Sequence, residues 1–460
     1  MFSRTTCVFA LVIALLPLAS RAASDTELQE LRKELDAMRA NYEARLQQLE
    51  ARLKKAEADA AAAQSAAPSA APPPVAAAAE SERATSSNAS AFNPAISLIL
   101  SGVYANLSQD PLNYRISGFV PSGDIGPGKR GFSLAETELA FAASVDPYFY
   151  GQFTVSVQPD NSVDIEEAFV QTTALGHGFT LKGGRFLSSI GYLNDQHSHT
   201  WDFLNQPLAY QAFLGGQFAD DGLQLKWLAP TDIYLQFGAE VGSGLNFPAS
   251  DRATNGAGAW AVYGHVGGDI GDSHTWRAGL SYLGARPDGR SFEDTDVFGQ
   301  PVTNAFSGNS DLLIADFVWK WAPDGNPRQR NFKFQTEYLW RRESGTLTYD
   351  TATLATPADY DSRQSGGYVQ ALYQFLPTWR TALRYDWLTS GTVDYGSNAA
   401  VLVNTNYRPT RWSWMIDYNP SEFSRIRLQL ATDRSRQDAT DNQVFVQYLM
   451  SLGAHGAHGF

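Results

Sequence analysis

His197 and His199, two apart, carry the sharpest chemical signal in the sequence. On an extended backbone, residues two apart point to the same side. The pair can therefore present two imidazoles to one metal ion, with Asp202 following as a third donor. Zinc suits such a mixture of nitrogen and oxygen donors. The alternative is a pair of hydrogen-bonded or interfacial imidazoles with no metal, since neither this pair nor His455 and His458 near the end of the chain brings a full donor set. Covalent chemistry has little to work with. The single cysteine is Cys7, and there is no Gly-x-Ser-x-Gly elbow and no Walker loop, whose Gly-x-x-x-x-Gly-Lys must be followed by Ser or Thr. An enzyme is not expected.

A second set of residues is ionic. Lys333, Arg341, Arg380, Arg384, Arg411, Arg425 and Arg427 occupy the polar parity of alternating segments, and earlier segments place Glu136 and Glu138, then Asp164 and Glu166, on theirs. If these parities share one aqueous interior, a basic wall faces an acidic one, and small anionic or zwitterionic solutes are expected to follow the basic side. Otherwise each arginine is a solvated interior residue paired with a neighbouring acid.

Strands must position these groups. Arg425, Arg427 and Gln429 alternate with Ile426, Leu428 and Leu430; Arg380, Arg384 and Asp386 alternate with Trp379, Leu383, Tyr385 and Trp387. Period-two alternation of this kind continues through most of residues 93–460. Tight connections at Asp146-Pro147, Leu175 to Gly178, Ala229 to Thr231, Gly271-Asp272, Pro323 to Gly325, Leu376 to Thr378 and Asn419 to Ser421 alternate with longer polar ones near 108–131, 158–162, 188–220, 243–256, 286–308, 344–362, 390–404 and 435–442. That order predicts an all-β, antiparallel transmembrane barrel of about sixteen strands, wide enough for an aqueous channel.

Composition agrees. The 460 residues include 26 Phe, 20 Tyr, 11 Trp and 38 Gly. Trp412, Trp414 and Tyr418 gather at strand ends, as interfacial girdles do and the core of a soluble sandwich does not. No apolar run after the first twenty residues is long enough to cross a bilayer as a helix. The net charge of -13 argues against nucleic acid as a partner, because binding to phosphates rests on excess Lys and Arg.

The first 92 residues read differently. Arg4, a short apolar core and small residues near Ala22 make 1–22 a secretory leader. Leu28, Leu31, Leu35, Met38 and Tyr42 then form a heptad seam within 25–59, which Leu46, Leu49 and Leu53 continue after a stutter. A lone amphipathic helix packed on a domain is the other reading of that segment. Residues 60–92 are an Ala/Ser/Pro linker unable to bury a core. The seam is expected to join copies of the chain, with a trimer favoured.

Leader, short coil, linker and barrel, with a last strand from Val444 to Leu452 and a terminal Phe460, resemble Gram-negative outer-membrane porins, in particular the phosphate-selective and dicarboxylate-type groups. The resemblance implies an outer-membrane location with the coil in the periplasm, contact with lipid, and passive diffusion of small polar solutes without a cofactor. It also implies that 188–220, which carries Ile190, Tyr192, Leu193, Trp201, Phe203, Leu204, Phe213 and Leu214, folds inward as a constriction loop with Asp195 and Asp202 as pore acids. The alternative is an extracellular lid. The stretches Gln196-His-Ser-His-Thr-Trp-Asp-Phe203, Gly215-Gly-Gln-Phe-Ala-Asp-Asp-Gly222 and Trp227-Leu-Ala-Pro-Thr-Asp232 look like a group labelled zinc-regulated outer-membrane or TonB-dependent receptors, which implies metal-linked uptake or a metal-responsive channel. True TonB-dependent receptors have about 22 strands and a folded plug, and the coil and linker here cannot fold into one. A third possibility is a structural barrel whose coil tethers the membrane to the cell wall.

Overall fold

The computed structural model describes residues 94–120, 125–135, 137–158, 162–252 and 254–453. Leader, heptad segment, linker, Glu136 and the histidines at 455 and 458 lie outside the described residues. The chain divides into two units, Met1–Ala77 and Ala78–Phe460, and all described residues belong to the second.

Strand segments run in chain order as β1 (Ala95–Leu107), β2 (Gly131–Leu134), β3 (Thr137–Ser144), β4 (Phe149–Val157), β5 (Val163–Thr172), β6 (Phe179–Leu187), β7 (Ala219–Leu228), β8 (Tyr234–Gly242) and β9 (Ala259–Ile270). They continue as β10 (His274–Ala285), β11 (Arg290–Thr295), β12 (Pro301–Trp321), β13 (Asn331–Tyr349), β14 (Thr356–Leu376), β15 (Trp379–Asp394), β16 (Thr410–Ser421), β17 (Ser424–Arg436) and β18 (Ala439–Gly453). All belong to one sheet. β2 and β3 both pair with β1 and make one stave, whereas β11 pairs only with the upper part of β12, so the wall is a closed antiparallel barrel of 16 strands. Closure joins β1 to β18, with Ala105 opposite Phe445 and Leu107 opposite Gln443.

The burial pattern is that of a soluble protein turned inside out. Along β17, Arg425, Arg427 and Gln429 are buried while Ile426, Leu428 and Leu430 are exposed; along β18, Gln443, Gln447 and Ser451 are buried while Val444, Val446, Tyr448 and Leu452 are exposed. An apolar outer face and a polar inner one are what hydrocarbon outside and water inside select. Aromatic rings mark two levels. Trp379 packs on Tyr418, and Trp319 on Phe332, beside the short turns; Tyr338 packs on Trp340, and Tyr385 on Trp412, toward the long loops. On β15 the outward-facing Trp379 and Trp387 are eight residues apart, about 27 Å of strand, or roughly 20 Å of height after barrel tilt.

β11 and the start of β12 occupy the stretch expected to be a loop over 286–308, and two larger features also differ from the sequence expectation. Strands β13 and β14 extend well into the stretch expected to be a loop over 344–362, leaving only 350–355 between them. Thr346, Thr348 and Tyr349 pair with Asp359, Pro357 and Thr356 there; above the lipid a strand no longer needs an apolar outer face, so its polarity looks like loop. The second is an apolar core inside the barrel. Ile190, Leu193, Trp201, Leu208, Tyr210, Phe213 and Leu214 pack on the inward faces of Leu283, Leu312, Ile314, Leu339, Tyr368 and Leu388.

Candidate functional site

The core belongs to the connection 188–218 between β6 and β7, which turns into the lumen and carries the short helix Leu208–Leu214, every residue of which is buried. Its inward course is fixed first by Glu337 on β13. That carboxylate, fully buried, accepts from the backbone N–H groups of Tyr192 (3.0 Å) and Leu193 (3.1 Å) and from the hydroxyls of Tyr210 (2.9 Å) and Tyr368 (2.6 Å). Gly191, at φ +66°, is the residue that lets the chain approach, because a Cβ there meets the Glu337 carboxylate. Glu240 on β8 holds the start of the loop through Ser188 (2.5 Å) and the N–H of Ser189 (3.0 Å).

The seven basic residues read from the strand parity all point inward, and the loop lies against them. Arg425 donates to the carbonyl of His199 (3.0 Å), Arg427 to that of Trp201 (3.2 Å), Arg384 to that of Asn205 (2.9 Å), Arg341 to that of Ala212 (3.2 Å), and Arg411 to that of Gln206. Wall acids sit between them: Asp417 takes Arg380 at 2.9 Å and Arg427 at 2.8 Å, and Asp386 takes Arg384 at 3.0 Å and Arg411 at 3.4 Å. Lys333 lies 2.5 Å from Asp202. These cations clamp a strap of backbone carbonyls.

Asp195 is exposed, whereas Asp202 is buried, with Arg380 at 3.7 Å and Gln370 at 2.8 Å besides Lys333. Burial alone would raise the pKa of Asp202, but Lys333 and Arg380 outweigh that and hold it below the usual aspartate value. Asp202 is thus committed to the basic wall and does not join the two histidines, which corrects the donor set read from spacing alone.

The histidines meet a different group. His197 Nδ1 lies 3.1 Å from Glu166 Oε2 and 3.4 Å from Glu138 Oε2, its Nε2 lies 3.1 Å from Glu167 Oε2, and His199 Nδ1 lies 2.8 Å from Glu138 Oε1. The two rings stack at 5.8 Å. Burial works against a charged His197 ring, yet its hydrogen bonds with Glu166 and Glu167 raise its pKa well above the ordinary imidazole value. Simple alternation cannot put both Glu166 and Glu167 inside. A β-bulge does: Thr154 pairs with Glu167 and Val155 with Ile165, leaving Glu166 as the extra residue. Glu167 and Glu337 are therefore anchors of the loop missed by the sequence reading. The adjacent acids at 166 and 167, in a strand otherwise alternating, are the signal that could have found the first.

The loop does not fill the lumen evenly. A cavity of about 220 Å³ remains beside β1, β2 and β18, lined by Ser101, Ser133, Asn205, Gln211 and Gln447 together with His199. At ~30 Å³ per water that space holds several water molecules.

No family model matches the chain. A protein of Aquifex aeolicus described as uncharacterized is 33% identical over 395 residues, covering 80% of each chain. Among solved structures, a loop-deletion form of OmpT, an outer membrane protein of Vibrio cholerae, superposes with a TM-score of 0.51 at 10% identity, over 79% of this chain and 100% of that one. That likeness is one of fold. An anion-selective porin from Comamonas acidovorans gives a TM-score of 0.47 at 9% identity, over 78% of this chain and 99% of that one.

Proposed function

The chain belongs to the same family as the uncharacterized Aquifex aeolicus protein, and from the geometry of its lumen we propose that it is an outer-membrane diffusion channel for small polar solutes. The observation that carries this reading is the closed barrel with an apolar outer face and an inner loop that leaves a polar gap of about 220 Å³ on one side. Solutes pass between the loop and the β1–β18 seam, where Ser101, Gln447, Asn205 and Gln211 offer hydrogen bonds without fixed charge. An anion preference is the finer part of the proposal. Lys333, Arg341, Arg380, Arg384, Arg411, Arg425 and Arg427 outnumber the Asp202, Glu337, Glu343, Asp386, Asp417 and Asp433 set among them by one, so the clamped side keeps a small positive excess that reaches the gap through Arg427. On the other side of the lumen Glu138 and Glu166, with Asp195 on the loop, are the acids that oppose it.

The heptad segment supports assembly into trimers with the N-terminal coil in the periplasm. The experiment is single-channel recording of the purified full-length protein in a planar bilayer under a salt gradient. Small, steady conductance steps with a reversal potential on the anion side are expected. A silent bilayer would end the channel reading, and a cation-side potential would end the anion preference alone.

A further inference from the structure

We infer that Glu138, Glu166 and His197 form a site for one divalent transition-metal ion, of the zinc class, that staples the inner loop to the wall at β3 and β5. One donor atom from each of the three residues lies within 4.8 Å of the other two, and His197 Nδ1 faces Oε2 of both Glu138 and Glu166. The two separations from the imidazole nitrogen, 3.1 and 3.4 Å, match the edge of a tetrahedron around zinc, about 3.4 Å for bonds of ~2.1 Å.

The surrounding residues supply what such ligands need. A metal-bound imidazole normally gives its other N–H to a carboxylate, which fixes the ring. Glu167 Oε2 stands 3.1 Å from His197 Nε2 in that position. The outer oxygen of Glu138 is held in turn by His199 Nδ1 at 2.8 Å. A neutral imidazole donates a single proton, so only one of the two carboxylate contacts of His197 is a hydrogen bond from a neutral ring. An imidazolium makes both contacts through its two N–H groups, and a metal ion on Nδ1 takes the place of one of those protons while offsetting the carboxylates of Glu138 and Glu166.

Two further features agree. The bulge that turns both Glu166 and Glu167 inward departs from strand regularity at the one place where these acids are needed. The site also has an entrance, because His199 and its neighbour Ser198 line the lumen cavity, and a fourth position on the metal is left to water. Mixed imidazole and carboxylate donors without thiolate favour zinc and its first-row neighbours over calcium or copper(I). Asp202, five residues beyond His197, stays with Lys333 and Arg380.

The test is titration of zinc chloride into the full-length protein in detergent at neutral pH, followed by calorimetry and metal analysis. One ion per chain is expected, with Glu166→Gln and His197→Gln each removing measurable binding and Glu167→Gln, which only positions the ring, weakening it about 10- to 100-fold. A His455→Gln/His458→Gln double variant is expected to bind as the parent does. The idea is overturned if heat does not exceed the buffer blank, if binding survives in the Glu166 or His197 variants, or if the double variant abolishes it. X-ray absorption of the zinc-loaded parent protein requires no variant to fold: one imidazole with carboxylate oxygens at about 2.0–2.2 Å is the expected shell, and two imidazoles or none would refute the assignment. Because metal binding is read in detergent and conduction in a bilayer, either reading can fail without the other.

Discussion

Glu337 holds together more of the lumen than its single charge suggests. Two backbone N–H groups and two tyrosine hydroxyls converge on its fully buried carboxylate. Replacement by Gln keeps the volume but removes an acceptor oxygen, leaving donors unsatisfied at a cost of about 1–3 kcal/mol. Glu337→Gln is expected to loosen the inner loop and raise single-channel conductance with added noise; unchanged traces would show that the other anchors suffice. Asp202 makes a pH prediction. Its folded pKa lies below that of the free side chain, so its tether to Lys333 and Arg380 is complete above the free-aspartate value of about 3.9 and fades only as pH falls through the lower folded one. Conductance changes that depend on Asp202 should therefore be absent between pH 8 and pH 5 and appear in stronger acid, and Asp202→Asn should abolish them. At this scale the sequence was partly readable. The inward direction of the seven basic residues followed from parity, but what covers them did not, because the loop contributes mainly backbone carbonyls, which carry no sequence signature.

At the scale of elements, the connection 188–218 does more than narrow a pore. It brings Leu208, Tyr210, Phe213 and Leu214 against a wall that is apolar on its inner face as well, each buried apolar side chain contributing about 1.5–3 kcal/mol. The continuous run Leu312, Leu313 and Ile314 in β12 was a legible sign of this, since a strand facing water on one side should alternate. The apolar content of the loop was equally legible. Its exact partners were not, because Leu208 bonds to Asp386 across a separation of 178 residues. Replacing residues 195–215 by a short Gly/Ser connection is expected to leave the barrel able to fold and to raise conductance several-fold, which planar-bilayer recording would report. If conductance stays the same, the loop is not what limits passage.

For the whole molecule, the two faces of the wall predict opposite tolerance to charge. Leu428→Arg on the outer face of β17 is expected to cost about 2–4 kcal/mol when placed near the middle of the bilayer, measured as urea unfolding from lipid vesicles. The neighbouring inward Gln429→Ala, which loses its contact with the N–H of Leu204, should cost less; equal losses would argue against the assigned faces. Strand number and turn order were read from Pro, Gly and Asp clusters alternating with longer polar connections, because short turns demand particular residues. Strand lengths were not, because beyond the lipid only backbone pairing extends them.

Closure of β1 on β18 joins residues that leave the ribosome more than three hundred positions apart, as in the pairing of Ala105 with Phe445. Nothing earlier in the chain can substitute for that last partner. Until β18 arrives, β1 and β17 each present a row of unpaired amides and carbonyls, the kind of edge that recruits strands from other molecules. A chain truncated anywhere before Ala439 is thus left as a strip with two adhesive borders, more hazardous to its cell than a protein missing a terminal helix, and one that is safer destroyed than assembled.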